Sequence, residues 1–261
     1  MPDVLGQPQP QLIVVRESPP DPELLRALGR LVRGLSALFW GLPIALVVCA
    51  QTAIGAQTAI GDLLRPFGVA PALLATGTLF CGLNLLGRFQ RQERLWITTL
   101  DRVRILALIN LGLSPFLYWW SRVPAHHFLG SAVQTLVFTG LLFLIGLNVL
   151  LERLTAMLPD EALRLETRLF TRVNRAILLV VLGLLGAYVA ALWLNPGLPD
   201  QAIAWLLDLA PFRRHAYPIV TLLDRGRSFV LVIILVPVAM TMALLWKIKE
   251  VILASVFGPE H

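Results

Sequence analysis

Charged residues are scarce in this sequence: Asp, Glu, Lys and Arg make up only 15% of its 261 residues. A typical soluble domain is about 25% charged and about 45–50% apolar, whereas this chain is 57% hydrophobic and has a mean hydropathy of +0.74. A soluble fold of this size could not bury so much apolar surface, and disordered chains are polar and rich in charge. The composition therefore excludes both classes and predicts a protein of the lipid bilayer.

Six segments contain no charged residue at all. A helix needs about 20 mostly apolar residues, with about 17 as a lower limit, to cross roughly 30 Å of hydrocarbon. All six segments reach this limit, and the run that starts at Phe229 lacks the polar–apolar alternation of a membrane barrel strand. We therefore predict an all-α, polytopic integral membrane protein with six transmembrane helices. The predicted spans are about 34–56, 66–87, 105–121, 128–151, 176–195 and 228–246.

The remaining segments complete a single six-helix membrane domain over residues 23–257. Residues 1–22 are polar and rich in proline, without the apolar core or cleavage pattern of a signal peptide, and predict a flexible cytoplasmic tail. The segment 159–175 predicts a helix that continues directly into the fifth span. The outer loop 196–227 predicts a short helix on the membrane surface. Residues 258–261 form a C-terminal tail.

Lysine is also rare, since 20 of the 22 basic residues are arginine. Sixteen basic residues lie on the side of the predicted membrane that carries both termini, and six lie on the other side. Because basic loops stay in the cytoplasm, this asymmetry predicts that both termini are cytoplasmic. It also accounts for the net charge of +6 without a nucleic-acid partner. With the lack of a targeting peptide, the arginine content favours a bacterial inner membrane.

The sequence contains no catalytic, nucleotide-binding or metal-binding motif, so neither enzymatic activity nor a cofactor is predicted. The favoured function is a non-catalytic scaffold, assembly or accessory subunit that binds membrane lipids or partner membrane helices. A permease for a small solute and a lipid-modifying membrane enzyme are the alternatives. The two cysteines, Cys49 and Cys81, differ in predicted depth by roughly 14 Å and should not form a disulfide.

A weak repeat of 71 residues links the outward-going helices. Arg33, Arg104 and Arg175 are 71 residues apart, and each is followed eight residues later by Gly-Leu. Two returning helices share the triplet Gly-Leu-Asn, at 82–84 and 146–148, whereas the sixth span offers only Ala-Met-Thr at 239–241. The pattern predicts three parallel two-helix repeats, of a kind that transporters contain.

The candidate site residues form three groups. Two arginine stripes at helical spacing predict contact with anionic headgroups at the cytoplasmic leaflet or with a membrane-protein partner: Arg26, Arg30 and Arg33, and Arg168, Arg172 and Arg175. Three asparagines in the inner halves of the spans predict either a polar cavity or interhelical hydrogen bonds: Asn84, Asn110 and Asn148. A third group lies on the outer face, where interfacial histidines in water are the favoured interpretation and metal or acid–base chemistry is the alternative: His126, His127 and His215.

Overall fold

The computed structural model describes residues 22–54, 65–87, 94–123, 126–157, 161–194 and 226–257, and the single residue Leu63. Within these ranges the regular structure is helical, which confirms the predicted all-α class. The α-helices are α1 (Pro22–Ile54), α2 (Ala70–Leu86), α3 (Arg94–Leu113), α4 (Pro115–Arg122), α5 (His127–Ala156), α6 (Glu161–Leu194) and α7 (Gly226–Phe257), with a short 3-10 turn at Arg65–Phe67. The outer loop up to residue 225 and both predicted tails, apart from Pro22, lie outside the described residues.

Four of the helical stretches are long and apolar enough to cross a membrane: Arg26–Ala53, Arg94–Arg122, His127–Ala156 and Thr167–Ala187. Helix α2 is a shorter apolar helix; its 17 residues would span about 26 Å at 1.5 Å per residue. The predicted helix leading into the fifth span is also confirmed, because α6 runs without interruption from Glu161 to Leu194.

Helices that follow one another in the sequence pack side by side. Helix α1 contacts α2, α2 contacts α3, α3 contacts α5, and α5 contacts α6, while α7 contacts both α6 and α1 and so closes the bundle. Hydrogen bonds give the direction of α3 relative to α5: Arg153, late in α5, reaches Leu95, early in α3, and Thr139 reaches Asn110. These two helices are therefore antiparallel, as a predicted hairpin requires.

A break after α3 has its cause in Pro115, the first residue of α4. The carbonyl oxygen of Leu111 would normally accept a bond from the backbone N–H of residue 115. Proline has no backbone N–H, so this bond is missing. The Ser114 hydroxyl donates to that same oxygen at 2.9 Å, and it accepts a bond from the Thr76 hydroxyl of α2 at 3.4 Å. Ser114 is fully buried. The serine thus replaces the lost backbone bond and ties the break to the neighbouring helix.

Helices α1 and α2 approach each other closely at their glycines. A β-carbon built on Gly34 would lie 3.0 Å from the carbonyl oxygen of Gly82, and one built on Gly82 would lie 3.2 Å from the carbonyl oxygen of Gly34. Gly41, two turns later in α1, lies against the side chain of Leu79. Because only hydrogen atoms separate the two backbones at these points, the helices pack at a distance that larger residues would not permit.

The most buried apolar side chains lie at the end of the bundle where α1, α3 and α6 begin and where α2 and α5 end. Side chains there are 2% exposed or less: Leu31, Leu35, Leu83, Leu86, Trp96, Leu100, Leu150, Leu151 and Leu154. This end is the one that the arginine distribution predicts to be cytoplasmic. Among the described residues, large buried side chains are therefore concentrated where the charged residues begin.

The two Gly-Leu-Asn triplets pack in partly similar ways. Gly82 lies against Gly34 of α1, and Gly146 lies against Val103 of α3, so each glycine meets the preceding helix of its predicted hairpin. The leucine of each triplet is fully buried, Leu83 in the first and Leu147 in the second. The asparagines differ, since Asn84 is exposed and Asn148 is buried. The three-fold repeat remains a prediction.

Candidate functional site

The first half of α6 has one face that no other described helix covers. Five of its side chains are exposed, namely Leu165, Arg168, Leu169, Arg172 and Val173, and we call them the α6 face. At 3.6 residues per turn, the two arginines fall on one side of this face and Leu169 and Val173 on the other. Leu165 and Leu169 are 69% and 65% exposed. The α6 face therefore combines positive charge with apolar surface.

The position of the α6 face along the helix makes its leucines unusual. The charge-free segment of α6 starts only at Ala176, after Arg175. Residues 161–175 extend about 22 Å before that point at 1.5 Å per residue. Leu165 lies before the apolar stretch Thr167–Ala187, whereas Leu169 and Val173 lie in its first two turns, beside the two arginines. Exposed apolar surface next to charged side chains is typical of a contact surface.

The first arginine stripe lies on α1. Arg26 and Arg33 are exposed, and the guanidinium of the half-buried Arg30 donates from Nε to the carbonyl oxygen of Arg26 at 3.2 Å. Arg175, the last residue of the second stripe, is exposed as well. Both predicted stripes thus present arginine side chains at the surface, although the structure gives no contact between one stripe and the other.

Two other arginines have structural roles that spacing alone did not suggest. Arg104 of α3 donates to the carbonyl oxygens of Leu83 and Asn84 at the end of α2, both at 3.4 Å, and pairs with Asp101 at 3.2 Å. Arg153 of α5 donates to the carbonyl oxygen of Leu95 in α3. The last carbonyls of a helix lack partners within the helix, so Arg104 supplies donors at the end of α2.

A fully buried polar cluster joins α5, α6 and α7. The Asn174 amide donates to Asn148 Oδ1 at 3.0 Å, to Thr241 Oγ1 at 3.0 Å and to the carbonyl oxygen of Pro237 at 3.3 Å. Asn148 in turn donates to Thr241 at 3.2 Å and to the carbonyl oxygen of Leu144 at 2.8 Å. All three side chains are inaccessible to solvent. Asn174 Oδ1 is buried without a hydrogen-bond partner.

The three asparagines singled out from the sequence are not brought together. Asn148 belongs to the cluster just described, and the Asn110 side chain accepts a 2.6 Å bond from the Thr139 hydroxyl between α3 and α5. Asn84 is exposed on α2. Two of the three therefore make the interhelical hydrogen bonds that were one of the two predicted roles.

The histidines lie apart from these clusters. His126 and His127 are exposed at the start of α5, where the backbone carbonyl of His126 accepts bonds from Leu129 and Gly130. His215 lies outside the described residues. In the part of the chain that the structure describes, no group of three or more His, Cys, Asp or Glu side chains could hold a metal ion.

Asn174 and Thr241 were missed as site residues. Asn174 directly precedes Arg175 and so falls outside the charge-free segments, and Thr241 replaces asparagine in the third triplet. A signal was present, because Thr167, Thr171, Asn174 and Leu178 recur at helical spacing and all are buried. A small polar stripe on one face of a long helix indicates the side that packs against its neighbours.

Comparison with known proteins gives no relative. The chain matches no protein-family model, no curated protein and no solved structure.

Proposed function

We propose that this chain is a multi-pass protein of the bacterial inner membrane that acts as a non-catalytic scaffold or accessory subunit and binds a partner membrane protein. In this proposal the chain crosses the bilayer six times and has both termini in the cytoplasm. The apolar composition, the four long apolar helices and the excess of arginine on one side support this placement.

The observation that carries the scaffold role is the α6 face. An arginine at the membrane surface extends its charged group into water while its apolar stem lies along the helix. Leucine is stabilised only when apolar surface covers it. Leu165 lies before the apolar stretch Thr167–Ala187, and Leu169 lies in its first turn, next to Arg168. A partner that covers Leu165 and Leu169 would remove this unfavourable exposure.

The chemistry of the α6 face indicates what would bind it. An amphipathic helix could place its apolar stripe on Leu165, Leu169 and Val173, as helices do in apolar grooves. Acidic residues beside that stripe would meet Arg168 and Arg172, whose planar guanidinium groups bind carboxylates with two parallel hydrogen bonds. We therefore propose an acidic amphipathic helix of another membrane protein as the partner.

The other two functions considered from the sequence receive less support. A permease needs its polar groups around one solute path, whereas Asn84, Asn110 and Asn148 contact different parts of the bundle. The lipid-modifying enzyme depended on histidines, and the two that the structure describes, His126 and His127, are exposed at a helix start. These observations favour packing and surface roles for the residues concerned.

Site-specific photo-crosslinking in intact membranes tests the scaffold role. A photoreactive residue at position 169 should give a discrete crosslinked protein, identified by mass spectrometry. A photoreactive residue at position 184 is the matched control, because Leu184 of α6 has nearly the same exposure, 66% against 65%, but lies outside the α6 face.

Charge reversal on the α6 face should weaken that crosslink. With Arg168→Glu and Arg172→Glu together, the band should decrease by about tenfold, because acidic residues of the partner would then be repelled. The pair Arg94→Glu and Arg102→Glu makes the same charge change at exposed sites of α3 and should leave the band intact. Crosslinks to lipid alone, or a band that charge reversal does not reduce, would contradict the proposal.

A further inference from the structure

A row of aromatic rings bridges α1 and α7. The Phe39 ring lies 5.2 Å from the Trp40 ring, edge to face, and 5.6 Å from the Trp246 ring of α7. Both indoles are largely open, with Trp40 62% and Trp246 53% exposed. Aromatic pairs at these distances stabilise one another, so the two tryptophans are held at fixed positions on neighbouring helices.

A positive charge lies at one edge of this row. The Lys249 ammonium lies 5.5 Å from the centre of the Trp246 ring, a distance at which a cation is attracted to the face of an indole. An indole also carries one N–H donor. The ammonium and the donor of the neighbouring Trp246 indole match the chemistry of a phosphate group.

An apolar strip continues from Trp40 along α1. Ile44 and Val47 follow at spacings of four and three residues, so they lie on the same face of the helix, and they are 50% and 42% exposed. Both residues lie within the charge-free segment 34–61. Along the helix they are farther from Arg33 than Trp40 is. A hydrocarbon chain lying on this strip would run toward the middle of the membrane.

We infer that the α1–α7 seam at Trp40, Trp246 and Lys249 binds one anionic phospholipid. Its phosphate contacts the Lys249 ammonium beside Trp246, and one acyl chain lies along Trp40, Ile44 and Val47. Tryptophan rings favour the headgroup region, and a nearby lysine adds attraction for anionic lipid. This inference does not rest on the scaffold role, because it concerns a different surface and needs no protein partner.

Native mass spectrometry of the full chain measures this binding. The protein is purified in detergent, exchanged into phosphatidylcholine and titrated with phosphatidylglycerol. One phosphatidylglycerol should be retained per chain, and soluble glycerol phosphate should not displace it, because the acyl chain contributes to binding. Equal retention of phosphatidylcholine, or displacement by glycerol phosphate, would overturn the inference.

Matched variants locate the lipid. Lys249→Gln should weaken retention of phosphatidylglycerol by about fivefold, and Trp40→Leu should weaken it as well. Lys247→Gln removes the same charge two residues away, and Trp119→Leu removes a tryptophan that is 54% exposed on α4, so both should bind as the wild type does. Since Lys249→Gln leaves the aromatic row intact, it should fold normally. Unchanged binding in that variant would place the lipid elsewhere.

Discussion

Replacing Gly82 by leucine is expected to destabilise the protein by about 2–3 kcal/mol. The new side chain would have to occupy the space where the Gly34 carbonyl oxygen lies, 3.2 Å from the position of a β-carbon on Gly82. That obstacle is backbone, which cannot move aside as a flexible side chain can. Helices α1 and α2 would have to separate, and their buried leucines would lose contact.

Thermal unfolding in one detergent measures this effect. Gly112→Leu and Gly183→Leu are the matched controls, because a β-carbon at either position would have nothing within 4 Å. Leucine also favours helix over glycine by about 0.8 kcal/mol, so these controls should be as stable as the wild type or slightly more stable. If Gly82→Leu unfolds at the wild-type temperature, α1 and α2 are not in the contact described above.

Asn174→Leu is expected to lower stability by about 1–2 kcal/mol. The leucine has as many side-chain heavy atoms as asparagine, branched at the same carbon, but would remove the donor to Asn148 Oδ1, which has no access to water. A buried acceptor without a partner costs free energy in proportion to the solvation it has lost. Thr241 would still donate to the Pro237 carbonyl oxygen, which limits the loss.

The same substitution at other asparagines shows whether the loss of stability comes from the buried polar cluster or from replacing any asparagine by leucine. Asn84→Leu removes an exposed amide and should change stability by less than about 0.5 kcal/mol. A double-mutant cycle of Asn148→Leu with Asn174→Leu should show coupling of about 1 kcal/mol. Additive losses, or an equal loss at Asn84, would mean that the cluster does not act as a unit.

Much of the bundle follows from the distribution of charge. Charge-free runs of sufficient length predict helices, and residues 159–175 predict the helix that leads into the fifth predicted span. Hydrophobic runs do not specify which helix faces meet, however. For this reason the sequence does not predict that Asn84 is exposed and Asn148 is buried. Both follow Gly-Leu, but only Asn148 faces a helix that carries an amide, Asn174, at the same level.

The candidate surfaces could be predicted only in part. Arginine spacing indicated that Arg168 and Arg172 share a face, but not that Leu165 and Leu169 beside them stay uncovered. Exposure depends on the packing of α5 and α7 around α6, which no local pattern encodes. Lys249 follows Trp246 by three residues on one helix, but the contact of Phe39 with Trp246 joins α1 to α7 and arises from tertiary structure alone.

Cysteine labelling in intact cells tests most directly whether this bundle crosses the membrane. In a Cys49→Ala, Cys81→Ala background, His126→Cys and Arg94→Cys each place one thiol at an exposed site, at opposite ends of the antiparallel helices α5 and α3. A membrane-impermeant maleimide should label position 126 in intact cells and position 94 only after the membrane is permeabilised. Labelling of position 94 in intact cells, or recovery of the protein in the soluble fraction, would contradict the account.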